Sequence, residues 1–136
     1  RFSPHVAPYF RGITLTVQAN LSSPLDADGI AERYRGAYAD SPLIDLLGEE
    51  TPRVQDWANK DGAAIGGISV NPDRPEEIGV VCVLDNLRKG AASQAIQNIN
   101  LARGLTEQTG LPTVLAEEEL EADGGALGTP AVGGTR

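Results

Sequence analysis

The sequence predicts an α+β domain, a mixed or antiparallel sheet with helices packed on one face. Three observations predict it. Residues 11–20 alternate with period two, setting Ile13, Leu15, Val17 and Ala19 against Thr14, Thr16, Gln18 and Asn20, the pattern of a half-buried strand. Val80-Val81-Cys82-Val83-Leu84 is apolar on both faces, which suits a central strand covered on both sides. The order strand, helix, several strands, helix groups the strands instead of alternating them regularly with helices.

After the first strand, Ser23-Pro24 reads as an N-cap followed by proline at the first helical position, with Asp26 complementing the dipole in the first turn. A helix of about four turns is expected there. Ile30, Tyr34, Ala37 and Tyr38 share its inward face, while Gly29 and Gly36 lower its propensity. Leu43–Leu47 is short, apolar and bounded by Pro42 and Gly48, hence a strand, and a loop through Pro52 comes next. Ala64–Val70 and Ile78–Leu84 form strands joined by a surface connection over 71–77 that contains Pro72 and Pro75. Trp57, the only Trp, is expected to be a packing anchor for the loop that holds Asp56, Asn59 and Asp61. A final helix over about residues 87–103 is expected to bury Ala92, Ala95, Ile96 and Ile99, with Gly104 as a left-handed stop.

The chain has 136 residues, 40% of them hydrophobic and 22% charged, so one domain burying roughly two-thirds of its unfolded surface fits and a second large one does not. Residues 1–112 form that domain, and 113–136 are an acidic, glycine-rich tail expected to be disordered. The tail holds Glu117, Glu118, Glu119, Glu121 and Asp123 against Arg136, half of the net charge of −8. A surface of that sign without a basic patch argues against nucleic acid. No apolar run approaches the roughly 18 residues a membrane span needs, and no leader is visible, so a cytoplasmic location is expected. One Cys excludes an internal disulfide framework, and with one His and one Cys a dedicated zinc site is not expected. The chain has no Met and begins at Arg1, which reads as a piece of a longer protein.

The start of the last helix, Asp85-Asn86-Leu87-Arg88-Lys89-Gly90, carries the most chemistry. Helix starts offer unpaired N–H groups and a positive dipole end, and Arg88 and Lys89 add charge where an anion could rest. Asp85 or Asn86 can equally cap the helix. Cys82, inside the apolar strand, reads as a structural thiol made inert by desolvation. Arg11, ahead of the first strand, is either a solvated strand-end arginine or a partner for a carboxylate or phosphate through its planar fork. His5 lies between Pro4 and Pro8, either at a site mouth or as a plain turn residue. Gln94, Gln97, Asn98 and Asn100 form a polar edge of the same helix. Neither Gly62 with Gly66-Gly67 nor the tail glycines form a phosphate loop, because no strand-to-helix turn contains them.

Residues Asp85 to Asn100 resemble the DNL-x-KGAA-x-QA-x-QN-x-N signature of N-acetyl-gamma-glutamyl-phosphate reductases, and the DNL-[RK]-[RK]-GAA core also resembles aspartate-semialdehyde dehydrogenases. Phe2-Ser3-Pro4-His5-Val6-Ala7-Pro8-Tyr9-Phe10-Arg11-Gly12 resembles the reductase turn FTPH-x-x-P-x-x-RG. The likeness covers about residues 1–105. Around Asp56, Asn59 and Asp61 the chain departs from the family, which often shows a Gly-Thr-Asn or Gly-Ser-Asn triplet.

The resemblance implies the C-terminal half of such an enzyme, with a glyceraldehyde-3-phosphate-dehydrogenase-like C-terminal fold. It implies NADPH-dependent reduction of an acyl phosphate to an aldehyde, through displacement of phosphate by a Cys thiolate. The family nucleophile lies in a Pro-Gly-Cys turn, absent here, and the general-base histidine lies upstream, so no catalytic residue is expected in this chain. Arg11 and His5 are the candidate substrate-binding residues and Asn86 and Lys89 the candidate cofactor-binding residues, with NADP held mainly by a dinucleotide-binding half ahead of this chain. A homo-oligomer, dimer or tetramer, is implied. The alternatives are the carrier-linked aminoadipyl-phosphate reductase of lysine biosynthesis and a detached, non-catalytic assembly or regulatory module.

Overall fold

The computed structural model describes residues 3–111. Arg1, Phe2, Pro112 and the acidic tail lie outside them. The elements run β1 (Ile13–Asn20), α1 (Ala27–Tyr38), β2 (Ile44–Leu46), α2 (Val54–Trp57), β3 (Ala63–Val70) and β4 (Glu77–Leu84). A π-helical turn over Arg88–Ala92 then leads directly into α3 (Ser93–Ala102). Four strands make one mixed sheet in the order β1-β4-β3-β2. β4 is antiparallel to both neighbours, and β2 is parallel to β3. The apolar segment 80–84 is therefore internal to the sheet, as its composition requires.

Adjacent residues of a strand face opposite sides, and the two cores sort accordingly. On one side Ile65, Ile68 and Val80 pack with Ile30 and Ala31 of α1. On the other, Ala64 and Val83 pack with Trp57, which is 4% exposed and anchors its loop as the sequence suggests. Leu47 and Val54 complete that layer. The single turn α2 replaces part of the expected loop; its role is to aim Trp57 into the sheet.

Helix α1 starts three residues later than the Ser23-Pro24 pattern suggests. Asp26 is the N-cap, its carboxylate accepting from the Gly29 N–H at 2.8 Å. Its inward face carries Ile30, Ala31, Tyr34 and Tyr38, whereas Ala37 is exposed. Tyr34 and Tyr38 stack with centroids 6.2 Å apart. In β3, Gly66 and Gly67 sit at a bulge. A Cβ on Gly66 would fall 2.3 Å from the Glu50 carbonyl oxygen, and Gly67 takes a φ of +57°. The pair thus allows the loop before α2 to cross β3 closely, with the Gly67 N–H donating to Glu50 at 2.7 Å.

Two expectations about buried faces are overturned. Every residue of β1 is exposed. Ile13, Leu15 and Val17 pair with Leu84, Cys82 and Val80, which puts them on the α1 side of the sheet. Helix α1 lies over β2 and β3, so the β1 end of that face is open, with Leu15 at 49% exposure.

Helix α3 is turned by about one residue, roughly 100°, from the orientation its apolar stripe suggests. Ala92, Ala95, Ile96 and Ile99 are exposed, while Lys89, Ser93 and Asn100 are buried. The polar stripe faces inward because acids and carbonyls wait there. Ser93 Oγ donates to Asp61 Oδ1, and Asn100 Nδ2 donates to the carbonyls of Glu107 and Thr109 at 3.0 and 2.9 Å. A π turn carries one more residue per turn than an α-helix, so it sets the phase of α3. Gly104 closes the segment with a φ of +70°, as expected.

Candidate functional site

Antiparallel pairing of Ile13 with Leu84 brings the start of β1 beside the end of β4. Arg11-Gly12 and Asp85-Asn86, distant in sequence, thereby become neighbours. Gly12 is required at its position: its φ is +114°, and a Cβ there would lie 2.3 Å from Val54 Cγ1. Its N–H donates to Asn86 Oδ1 at 2.8 Å. That bond fixes the amide orientation, because the oxygen must face the donor and Nδ2 turns away.

Asp85 is the centre of this junction and is fully buried. Its Oδ1 accepts from the N–H groups of Leu87 and Arg88 at 2.8 and 2.9 Å and from Arg11 Nη2 at 3.0 Å. Its Oδ2 accepts from the Asn59 N–H and lies 2.7 Å from Arg11 Nε. Burial pushes the Asp85 carboxyl up, but the bonds from Asn59, Arg88, Leu87 and Arg11 outweigh it and hold the group below the usual aspartate value. Asn59 adopts a φ of +69°, a conformation asparagine tolerates better than most residues. Its own Oδ1 accepts from Arg11 Nη1 at 2.5 Å.

The helix start therefore does not present an open anion-binding notch. Its first N–H groups are taken by Asp85. The nearby cations also have partners: Arg88 Nη1 donates to Asp61 Oδ2 at 2.9 Å, and Lys89 Nζ donates to Gln97 Oε1. Gln97 in turn donates to Glu107 Oε2 at 2.7 Å. Burial pulls the Lys89 ammonium below the usual lysine value, with the Glu107 charge opposing. Gln97 and Asn100, expected on an outer polar edge, are part of this internal network.

Of the residues singled out from sequence, Arg11 and Asn86 meet at the junction. Lys89 lies under α3 with Gln97, and His5 lies on the exposed segment 3–10. Burial pushes the Cys82 thiol up, which agrees with an inert role. Asn59 and Asp61 escape a reading by motif, because their loop matches none. The signal is an acceptor-rich turn, Asp56-Trp57-Ala58-Asn59-Lys60-Asp61, ahead of a strand. Among the described residues no cluster of three or more His, Cys, Asp or Glu side chains is placed to hold a metal. No helix among them is long and apolar enough to cross a membrane.

The mixed sheet, its open apolar face and the strand-to-helix junction define a class: the chain belongs to the semialdehyde dehydrogenase dimerisation-domain family, whose model matches residues 1–86. Within that class it is similar to the N-acetyl-gamma-glutamyl-phosphate reductase of Xanthomonas oryzae pv. oryzae, 50% identical over 110 residues, covering 81% of this chain and 34% of that protein. The Stenotrophomonas maltophilia reductase is 49% identical, covering 82% and 34%. Among solved structures, aspartate semialdehyde dehydrogenase II of Vibrio cholerae aligns with a TM-score of 0.57 at 29% identity, covering 71% of this chain and 28% of that one. A probable aspartate-semialdehyde dehydrogenase of Pseudomonas aeruginosa aligns with a TM-score of 0.60 at 26% identity, covering 70% and 28%. The chain spans about a third of the length of the curated relatives it matches.

Proposed function

We propose that this chain is the assembly and substrate-side half of a cytoplasmic, NADP-dependent N-acetyl-gamma-glutamyl-phosphate reductase, acting in arginine biosynthesis. The observation that carries the reading is the 50% identity that runs across four-fifths of the chain, signature helix included. In the reaction so proposed, a carboxyl phosphate is reduced to a semialdehyde and inorganic phosphate leaves. NADPH supplies the hydride when bound.

What this chain can offer is specific. Two N–H groups of Arg11 are hydrogen-bonded, one on Nη1 to Asn59 and one on Nη2 to Asp85, while Nε faces Asp85 Oδ2 in an ion-pair contact; one N–H on each terminal nitrogen is left for a substrate carboxylate or phosphate. Asn86 Nδ2 is turned away from Gly12 and can donate to the carboxamide oxygen of the cofactor. Arg88 and Lys89 are each engaged within the chain, which leaves the cofactor phosphates to the dinucleotide-binding half. His5 stands as a second substrate-side candidate, and Lys89 acts on the cofactor side only through the helix it supports. The open face of β1, lined by Ile13, Leu15 and Val17, is the surface for a second copy. Apolar patches of that kind mark association sites.

The test is substrate preference. The complete reading frame containing this chain is assayed for phosphate-dependent NADP reduction with N-acetylglutamate semialdehyde and with aspartate semialdehyde. Preference for the N-acetyl compound by at least a hundredfold in kcat/KM supports the reading. Equal use, preference for aspartate semialdehyde, or no activity with either overturns it.

A further inference from the structure

Arg11 is held from two directions, by a carboxylate with no solvent exposure and by an asparagine on a left-handed turn. The side-on edge of its guanidinium, Nε and Nη2, lies against Asp85, and Nη1 lies against Asn59. The β1–β4 ladder already closes at Ile13 and Leu84, and Arg11 keeps 19% of its side chain exposed. A flexible arginine would sample several rotamers, whereas a planar fork engaged on one edge leaves its remaining donors aimed in a fixed direction.

We propose that Asp85 and Asn59 are a positioning pair for the reductase: they orient Arg11 so that its two remaining N–H groups meet the substrate anion. This rests on Arg11 being a substrate contact, as in the proposed function. Asp85 reaches further than Arg11 alone. Through its bonds to the Leu87, Arg88 and Asn59 N–H groups it fixes the same arginine relative to the helix start that bears Asn86. Because Asp85 neutralises Arg11, the substrate is gripped by directed hydrogen bonds more than by net charge, so its KM should change little with salt. Small displacements of such a contact are costly, since a shift of about 1 Å in a positioned group can lower rates on the order of a hundredfold.

The experiment is a kinetic cycle in the complete reductase, with N-acetylglutamate semialdehyde and phosphate as varied substrates. Arg11→Met, Asp85→Asn and the double variant are compared, together with Asn59→Gly. The glycine keeps the positive φ and the N–H to Asp85 while removing only the bond to Arg11, at an exposed site that folding tolerates. Both single variants Arg11→Met and Asp85→Asn are expected to raise the semialdehyde KM roughly tenfold, one mislaid polar contact. The double variant should be within about twofold of either, because the two act as one unit, and Asn59→Gly should raise KM about threefold. A purely structural role would lower the active fraction, hence kcat, with KM unchanged. If Arg11→Met leaves KM unchanged, the substrate-contact reading fails and the proposal falls with it. If Arg11→Met raises KM while Asp85→Asn and Asn59→Gly do not, or if the cycle is additive, only the positioning role is overturned. Should Asp85→Asn fail to fold, Asn59→Gly alone decides by the same criterion.

Discussion

Arg11 and Asp85 stand 74 residues apart and meet in a fork, Nε to Oδ2 at 2.7 Å and Nη2 to Oδ1 at 3.0 Å. The pair closes the junction between the start of β1 and the end of its sheet neighbour β4. Because Asp85 is wholly buried and also accepts three backbone N–H groups, its loss leaves several donors without a partner.

Asp85→Asn in this chain should therefore lower stability by about 3 kcal/mol at pH 7, the usual cost of breaking a buried pair from one side. The sign with pH comes from the depressed carboxyl of Asp85. Its contribution is complete above the ordinary aspartate value of about 4 and is lost as pH falls through the lower folded value. Urea midpoints at pH 7 and pH 3 check this. The gap between the native chain and Asp85→Asn should narrow at pH 3, and a gap independent of pH would contradict the electrostatic account.

Ile99 and Ile30 separate the two readings of α3. Both are helical isoleucines, but Ile99 is 61% exposed and Ile30 is 3% exposed. Ile99→Ala should change the unfolding free energy by no more than about 0.5 kcal/mol, whereas Ile30→Ala should cost about 2 to 5 kcal/mol. Equal costs would restore the inward-facing apolar stripe that periodicity suggests.

That stripe shows what the sequence could carry. The β3–β4 connection and the internal place of β4 are legible, because alternation and two-sided apolarity are local properties. The strand at 13–20 is legible as a strand, but its exposure is not, since that depends on how far α1 reaches across the sheet. In α3 the period is visible while the buried side is not. The deciding partners, Asp61 for Ser93 and Glu107 for Gln97, are 32 and 10 residues away. At the site, Arg11 and Asn86 stand out separately by their types and positions, and Asp85 reads as no more than a helix cap. Its pairing with Arg11 depends on strand register, and the contribution of Asn59 depends on a backbone conformation that no residue pattern announces.

Leu15 tests the open face of the sheet. It is 49% exposed and pairs across the ladder with Cys82, so a glutamate there places charge in the middle of an apolar surface. In sedimentation equilibrium the native chain should show at least twice its 14.3 kDa mass, and Leu15→Glu should return it to one copy. A native chain that stays at a single copy, or a variant that still associates, would contradict the assignment of this face.

Cys82 bears most directly on the proposal that this chain shapes a reductase site without supplying its nucleophile. Burial raises the thiol, and its β1 partner is Leu15, not a base. The decisive measurement is phosphate-dependent NADP reduction by the complete reading frame, by the same frame carrying Cys82→Ala, and by this chain alone. The account predicts activity in the complete frame, retention within about threefold in Cys82→Ala, as for a group outside the chemistry, and none in the chain alone. Loss of activity by about a thousandfold or more in Cys82→Ala, the scale of a lost nucleophile, or turnover by the chain alone, would contradict it.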